Sequence, residues 1–220
     1  KNTTTDIWVE INANDTIADN FWVWRADHGA GVGWDTNKTK NGLVVNGDRV
    51  SAYCMMVEHF HEYQTIWNGN DGYLAFYQSE CPYEAPSVEA WSSHDGTKPG
   101  YASYKVGDEV TSHYAVGLGV YCHNKFADVW IGSGLEVPET DGVVIKNAFI
   151  EKLAGGGGGI SHVINDKGGS TGPMQWFISI QLFENGIVKD GITCWYLPLL
   201  VGALAILLVV LIRKRKLKHY

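Results

Sequence analysis

Short apolar runs separated by polar turns fill most of the chain between Asn20 and Leu153. The runs are rich in β-branched and aromatic residues, and Gly, Asn and Asp interrupt them at close intervals. Such runs favour β-strands, and no long window has the apolar spacing that is typical of an amphipathic helix. The pattern therefore predicts an all-β domain. The predicted strands include Phe21–Ala26, Gly42–Val45, Ala52–Val57, Gln64–Trp67, Tyr73–Tyr77, Tyr114–Tyr121, Ala127–Ile131, Gly142–Ile145 and Ala148–Leu153.

The predicted strands come in pairs that are separated by one polar break, as in Gly42–His59. An up-and-down sandwich and a parallel β-helix both fit short strands, but single breaks favour the β-helix, since a solenoid turns a corner in this way. Asp27, Glu58 and Glu80 each end an apolar run, at spacings of 31 and 22 residues. These spacings predict three successive rungs. Residues 80–105, rich in Pro, Ser and Tyr, are predicted to form a long excursion.

An uncharged apolar stretch lies near the C-terminus, from Trp195 to Ile212, and extends back to Ile192. It is long enough to cross a ~30 Å hydrocarbon core as a helix. Arg213–Lys216 follow at once, and the positive-inside rule then places the tail in the cytoplasm and the N-terminal domain in an extracellular or lumenal space. A buried core helix is the alternative. We expect a single-pass membrane protein.

The expected organisation has four parts. Residues 1–166 form the β-helix, 167–191 a juxtamembrane connector, 192–212 the transmembrane helix and 213–220 a basic cytoplasmic tail. No charged and apolar leader precedes Lys1, so the sequence does not show how the chain reaches a membrane. We expect an N-terminal part to be missing, either a cleaved signal peptide or a larger piece of domain.

Charge and cysteine content restrict the function further. The formal net charge is −7 and the basic tail makes the remainder more acidic, so nucleic-acid binding is disfavoured. Of the four cysteines, Cys194 borders the predicted membrane span, so at most one internal disulfide is expected. Three sequons suit a glycosylated exterior. They begin at Asn2, Asn14 and Asn37.

The acid ladder of Asp27, Glu58 and Glu80 is the main candidate for catalysis. Equivalent positions on neighbouring rungs would place adjacent carboxylates about one strand spacing, ~4.8 Å, apart, and the outer pair, Asp27 and Glu80, about twice that distance apart. Glycosidases use carboxyl pairs ~5–5.5 Å apart for retention and ~6.5–9.5 Å for inversion, so the ladder straddles both geometries. Like charges this close raise at least one pKa, as a general acid requires. His28 and His59 follow two of these acids and are candidates for binding substrate.

Other readings of the same residues stay open. The acids could simply end strands and solvate turns, or stacked carboxylates could hold Ca²⁺, which would suit lyase chemistry. His59 and His61 would share a face of a strand, which hints at zinc, but no companion metal motif accompanies them. We therefore predict no metal site and no cofactor, with Ca²⁺ as the alternative.

Nine tryptophans and eleven tyrosines are unusual in a chain of this length. Exposed rings can stack on sugars, so the loop tryptophans Trp34, Trp67 and Trp91 are candidate substrate contacts. The alternative is that aromatic side chains fill the interior of the solenoid. One of Trp22 and Trp24 is expected to do so.

Several longer segments together resemble secreted pectin-lyase-like β-helix proteins, which are described as coagulation-factor-5/8-type-domain proteins or grouped with glucanase-like carbohydrate-active proteins. The resemblance runs from Asp6 to Asn165 and implies a right-handed parallel β-helix whose C-terminal rungs this chain forms. The membrane span departs from the soluble pattern of that family. The segments are Trp22–Trp34, Gly42–Tyr53, Val57–Gly72, Tyr77–Pro86, Gly100–Val106, Ser112–Cys122 and Ile160–Asp166.

Two hypotheses of function follow. The first is a membrane-anchored β-helix protein that binds or hydrolyses a polysaccharide like a glycoside hydrolase, with Asp27, Glu58 and Glu80 as acid, base or nucleophile. The second is a non-catalytic adhesion or structural protein at a cell surface, in which the solenoid is a scaffold. In both, the expected partners are a glycan and the lipid bilayer.

Overall fold

The computed structural model describes residues 3–125, 127–153 and 156–194, and within these ranges every regular element is a β-strand. Sheet A contains β1 (Thr3–Ile11), β4 (Asn37–Val45), β6 (Thr65–Trp67), β10 (Tyr104–Val106), β12 (Trp130–Glu136) and β14 (Gly159–Ile164). Sheet B contains β2 (Ile17–Asp19), β3 (Trp22–Trp24), β5 (Ser51–Glu58), β7 (Gly72–Glu80), β11 (His113–Cys122), β13 (Val143–Lys152), β15 (Phe177–Glu184) and β16 (Ile187–Cys194). A small hairpin pairs β8 (Ser92–Ser93) with β9 (Lys98–Pro99).

The chain alternates between the two sheets, and all strands from β1 to β14 in these sheets pair in parallel. It returns to one register position at Ile17, Ser51, Tyr73, Tyr114 and Val144, so successive coils contain 34, 22, 41 and 30 residues. Parallel pairing excludes the up-and-down sandwich, whose neighbouring strands run antiparallel. The predicted all-β class is confirmed, and the coils follow the path of a parallel β-helix.

Apolar side chains from both sheets fill the space inside the coils. On sheet A, Val45 and Trp67 are fully buried register partners, and on sheet B Leu74 and Ala115 are fully buried partners. Because each coil stacks equivalent side chains on those of the next, the core is one continuous column. This column supports the outer face of sheet B, on which the candidate site lies.

Sheet B is bent along one row of residues with positive φ. Cys54, Phe76, Gly117 and Asn147 occupy this row on four neighbouring strands, with φ of 53°, 64°, 74° and 52°. Each is skipped in the strand register. A left-handed residue interrupts the alternation of side chains. The bend therefore divides the outer face of sheet B into two parts. The candidate site lies on the part that is formed by the residues after the bend.

A ladder of asparagines stabilises one corner of the solenoid. The Asn46 side-chain amide donates to Asn12 Oδ1 at 2.7 Å, and the Asn68 amide donates to Asn46 Oδ1 at 2.8 Å. Asn46 also donates to Glu10 Oε1 at 2.9 Å. These bonds link three successive coils at the turn that follows each strand of sheet A.

The C-terminal boundary differs from the expected one. Residues 167–191, predicted to be a juxtamembrane connector, contain β15 and most of β16, which form an antiparallel hairpin that extends sheet B beyond β13. Ile192 belongs to β16 rather than to a helix. The predicted span Trp195–Ile212 and the basic tail lie outside the described residues. In the described ranges, no helix has the length and apolar content needed to cross a membrane.

Candidate active site

Two glutamates lie side by side on the outer face of sheet B. Glu58 at the end of β5 and Glu80 at the end of β7 are register partners. The preceding Val57 and Ser79 are fully buried, so alternation directs both glutamates away from the core. The predicted stacking of Glu58 and Glu80 on neighbouring rungs is confirmed.

The Glu58 carboxyl is covered by an aromatic side chain. The Trp22 indole N–H donates to Glu58 Oε2 at 2.8 Å. Burial raises the pKa of Glu58, the hydrogen bond from Trp22 opposes that rise, and the negative charge of Glu80 adds to it. Glu58 therefore keeps a proton to a higher pH than an ordinary glutamate does.

Glu80 is more accessible and is held by its neighbours. The Tyr83 hydroxyl donates a short hydrogen bond to Glu80 Oε2, and the Gln78 side-chain amide donates to Glu80 Oε1 at 3.2 Å. The Glu80 side chain keeps 22% of its surface exposed. It is thus positioned from two sides but remains within reach of a ligand.

Asp27 joins the cluster from a different position than the ladder predicts. The register partner of Glu58 on β3 is Trp24, so Asp27 lies three residues beyond the rung position and the predicted three-acid ladder is wrong there. Asp27 Oδ1 lies 2.7 Å from His28 Nδ1 and 3.9 Å from His59 Nε2. Burial alone would raise the Asp27 pKa, but the hydrogen bond with His28 and the two imidazoles together lower it.

His59 lies between the carboxyls of Asp27 and Glu80. Its Nε2 is 3.9 Å from Asp27 Oδ1 and 3.7 Å from Glu80 Oε2. Its ring contacts Tyr83 edge to face at 4.6 Å, and the side chain is buried. Burial lowers the His59 pKa in spite of the two carboxylates, so the imidazole is held neutral near pH 7. His28 is its exposed counterpart, with 74% of its side chain accessible.

A buried arginine fixes the loops around this cluster. The Arg25 Nη2 atom pairs with the Glu84 carboxylate, and Nε donates to the main-chain carbonyl of His59. The Nη1 atom donates to Asn37 Oδ1 at 3.1 Å. These bonds connect β3, the turn after β5 and the loop that carries Tyr83. Lys125 Nζ approaches Asp27 Oδ2 at 3.6 Å from the opposite side.

The tryptophans are distributed differently from the expectation. Trp67 and Trp91 are buried, so neither can stack on a sugar from outside, and Trp34 is half-buried against the ring of His61. Trp22 and Trp24 both lie on the outer face, because the residue between them, Val23, is the one that is buried. The aromatic surface beside the glutamates therefore comes from this pair.

His59 and His61 do not share a strand face, because β5 ends at Glu58. His61 Nε2 lies 2.9 Å from the carbonyl oxygen of Trp34. Among the residues that the structure describes, no three His, Cys, Asp or Glu side chains are grouped so that they could hold a metal ion. The described cysteines Cys54, Cys81 and Cys122 are free.

The candidate glycosylation sites differ in accessibility. Asn14 is exposed and accepts a hydrogen bond from the Asp48 N–H at 2.9 Å. Asn37 uses its amide nitrogen, the atom that would carry a glycan, to donate to the Ala26 carbonyl at 2.8 Å. Asn2 lies outside the described residues. Glycosylation stays a prediction.

Some residues of the cluster could not be assigned from the sequence. Tyr83 and Lys125 lie in loops, and no local pattern brings them to the glutamates. The position of Gln78 could have been predicted, since it precedes Glu80 by two residues on one strand and so faces the same way.

Paired carboxyls beside exposed aromatic rings define a class of site that is suited to cleaving glycosidic bonds.

Comparison with known proteins agrees with this class. Residues 1–80, which include both glutamates, match the family described as LAM55 pectate lyase-like domain. An exo-β-1,3-glucanase from Streptomyces sp. (strain SirexAA-E / ActE) is 45% identical over 164 residues, which are 74% of this chain and 27% of that protein.

Solved structures of sacteLam55A from Streptomyces sp. SirexAA-E are also similar to this chain. The match to one of them has a TM-score of 0.76 at 40% identity, and it covers 82% of this chain and 33% of the sacteLam55A chain. A variant in complex with glucose has a TM-score of 0.77 at 40% identity, with 82% and 32% covered. The chain thus spans a minor part of the length of these relatives. The similarities support a pectate-lyase-like, carbohydrate-active family for the chain.

Proposed function

We propose that this chain contributes the carboxyl pair of a glycoside hydrolase that acts on β-1,3-linked glucan. The observation that carries the proposal is the register pairing of Glu58 and Glu80 on the outer face of adjacent parallel strands. The names of the relatives, an exo-β-1,3-glucanase and a homologous structure in complex with glucose, support the substrate class.

Hydrolysis of a glycosidic bond needs one carboxyl that carries a proton and one that is ionised. Burial and the neighbouring charge of Glu80 raise the pKa of Glu58, so Glu58 is the carboxyl that is better suited to carry this proton. Protonation of the leaving oxygen and activation of the attacking group are then divided between Glu58 and Glu80.

The surrounding residues position this pair. Tyr83 and Gln78 fix the Glu80 carboxyl by hydrogen bonds, and Trp22 fixes Glu58. Trp22 also covers Glu58 from solvent, which strengthens the electrostatic interactions at the pair. Asp27 and His59 lie beside Glu80 with their side chains largely buried, and the exposed imidazole of His28 is the group that is available to sugar hydroxyls.

We also propose, from the sequence alone, that residues 195–212 anchor the protein in a membrane with the β-helix outside the cell or in a lumen. The apolar length of this segment and the basic residues after it support this location. A tethered hydrolase would then act on glucan at that surface.

The decisive experiment compares the natural protein with Glu80→Gln and with the matched variant Glu62→Gln. Burial raises the pKa of Glu62 as it does that of Glu58, but Glu62 lies outside the cluster. We expect glucose release from β-1,3-glucan by the parent and by Glu62→Gln, and loss of release with retained glucan binding in Glu80→Gln. Binding by a parent that releases no sugar would instead favour the non-catalytic surface protein.

A further inference from the structure

The outer face of sheet B continues past the glutamates as a row of aromatic rings. Glu80 pairs with Tyr121 on β11, Tyr121 pairs with Glu151 on β13, and Glu151 pairs with Phe177 on β15. In the neighbouring register row, Phe149 on β13 is the partner of Gly119. Tyr121, Phe149 and Phe177, here called the aromatic strip, thus place one ring on each of the three strands that follow β7 in the sheet, β11, β13 and β15.

The rings of the aromatic strip contact one another in sequence. The centroids of Tyr121 and Phe149 are 5.5 Å apart at an interplanar angle of 85°, and those of Phe149 and Phe177 are 5.3 Å apart at 31°. All three side chains are half-buried, so each keeps part of its surface accessible. The strip therefore forms a continuous apolar surface rather than a set of isolated rings.

A glycine lets Phe149 lean towards the carboxyl pair. A Cβ added to Gly119 would lie 2.4 Å from the far atom of the Phe149 ring, so the ring occupies the space above that glycine. The register partner of Gly119 on β7 is Gln78, which donates to Glu80 Oε1. The aromatic strip is thus continuous with the candidate active site.

A second aromatic ladder on sheet B lacks this arrangement. Tyr53, Tyr73 and Tyr114 lie before the bend, and the rings of Tyr73 and Tyr114 are parallel within 1° at 5.7 Å. Lys146 Nζ lies over the ring of Tyr114 at 5.3 Å. These rings lie on the other side of the bend from Glu58 and Glu80, so they are not continuous with the carboxyl pair. They provide an internal control for the aromatic strip.

We propose that the aromatic strip binds successive sugar units of a β-1,3-glucan chain whose cleaved bond lies at Glu58 and Glu80. This inference rests on the proposed function for its choice of ligand. Pyranose rings present apolar C–H faces, which pack against aromatic side chains in carbohydrate sites. The ring spacing of 5.3–5.5 Å is comparable to the length of one hexose. The strip would therefore increase affinity for long chains rather than assist the bond cleavage itself.

The test compares a long and a short substrate in the natural protein, Phe149→Ala and Tyr114→Ala. For soluble β-1,3-glucan, Phe149→Ala should raise KM roughly tenfold, a change of ~1.4 kcal/mol in binding. For laminaribiose, whose single unit beyond the cleaved bond would lie at Tyr121 rather than at Phe149, kcat/KM should change less than about twofold. Tyr114→Ala should behave as the parent on both substrates.

Two further variants separate binding from folding. Gly119→Ala adds a methyl group where the Phe149 ring lies and should raise KM for the long chain while the ring is retained. Phe149→Leu keeps an apolar side chain without an aromatic ring and should resemble Phe149→Ala in its KM for the long chain. Equal losses on both substrates in Phe149→Ala, or no change on either, would overturn the proposal.

A failure of the proposed function can be distinguished from a failure of the strip. If the parent cleaves neither substrate, calorimetry with laminari-oligosaccharides decides between the two. Weaker binding by Phe149→Ala than by the parent would uphold the aromatic strip as a glycan surface. Equal binding, or none by the parent, would reject it.

Discussion

Burial sets the protonation of several side chains at the scale of single residues. Glu58 and Glu80 are register partners, yet Glu58 is covered by Trp22 whereas Glu80 stays accessible. His59, between Asp27 and Glu80, is kept neutral by burial even though two carboxylates favour its charged form. The surroundings of each group therefore decide its charge more than its residue type does.

His113 provides a test of this effect on stability. It is buried in the core with its Nε2 2.9 Å from the Tyr104 hydroxyl, and burial lowers its pKa to about 3. In the unfolded chain its pKa is about 6.5, so between pH 6.5 and 3 the unfolded state binds the extra proton. The free energy of unfolding should fall as the pH falls through this window, by up to ~1.4 kcal/mol per pH unit from this group.

The measurement is urea unfolding of the parent and of His113→Phe at pH 7 and pH 4.5. His113→Phe should be destabilised at pH 7, because the Tyr104 hydroxyl loses its partner, but it should lose less stability on acidification than the parent. Identical losses in the two proteins would show that His113 does not titrate in this way.

The sequence predicts single residues well only where the coil is short. Glu58 and Glu80 are separated by a coil of 22 residues without an insertion, so counting from one strand end to the next aligned them. The coil before Glu58 is longer, and strand ends alone placed Asp27 three residues from its true register. Trp67 was expected in a loop, but its register partner Val45 places it in the core.

At the scale of elements, local backbone conformation shapes the solenoid. Strand patterning predicted the strands β3 to β7, β11 and β13 and only the start of β12. The bend of sheet B depends on residues such as Cys54 and Phe76, which are unusual at positive φ. The hairpin of β15 and β16 had a visible signal, since Asn185-Gly186 between apolar runs is a common type I′ turn sequence.

Phe76 is the least suitable residue in the bend. It has φ of 64°, which costs roughly 1–2 kcal/mol for a side chain with Cβ, and it is exposed. Asparagine occupies the same row at Asn147 and tolerates this conformation better. Phe76→Asn should therefore raise the free energy of unfolding by about 1 kcal/mol in urea titration. The matched change Ala75→Asn, on a residue without positive φ, should be destabilising, and a stabilisation of equal size there would contradict the argument.

The asparagine ladder allows a graded prediction. Asn46 makes two bonds within the ladder and one to Glu10, whereas Asn12 and Asn68 each make one ladder bond. Asn46→Ala should cost about 1–3 kcal/mol of stability and Asn12→Ala about a third as much, since three bonds are lost in the first variant and one in the second. Thermal unfolding of the two variants checks this order. A larger effect at Asn12 would mean that the turn, rather than the ladder, supplies the stability.

At the scale of the whole molecule, a solenoid domain is joined to a predicted membrane span. Residues 3–194 place the carboxyl pair and the aromatic strip on one face of sheet B. The proposed membrane anchor is inferred only from the apolar composition of residues 195–212. The contacts within the β-helix domain carry no information about it. The chain covers 27% of the length of its glucanase relative.

Membrane attachment can be tested by fractionation. The natural protein should remain in the membrane pellet after an alkaline carbonate wash, because a spanning helix is not removed by charge disruption. A variant that ends at Cys194 should be released to the soluble fraction. Release of the natural protein by high salt alone would indicate electrostatic attachment through the basic tail and contradict the anchor.

Leaving-group dependence tests the central claim, the shared acid and base roles of Glu58 and Glu80, most directly. Glu58→Gln and Glu80→Gln should each lower kcat/KM on β-1,3-glucan by about 10²–10⁴-fold. One variant, and only one, should regain activity on an aryl β-glucoside, whose leaving group needs no proton. If either variant keeps glucan activity within about tenfold of the parent, its carboxyl contributes little to the transition state and the account is contradicted.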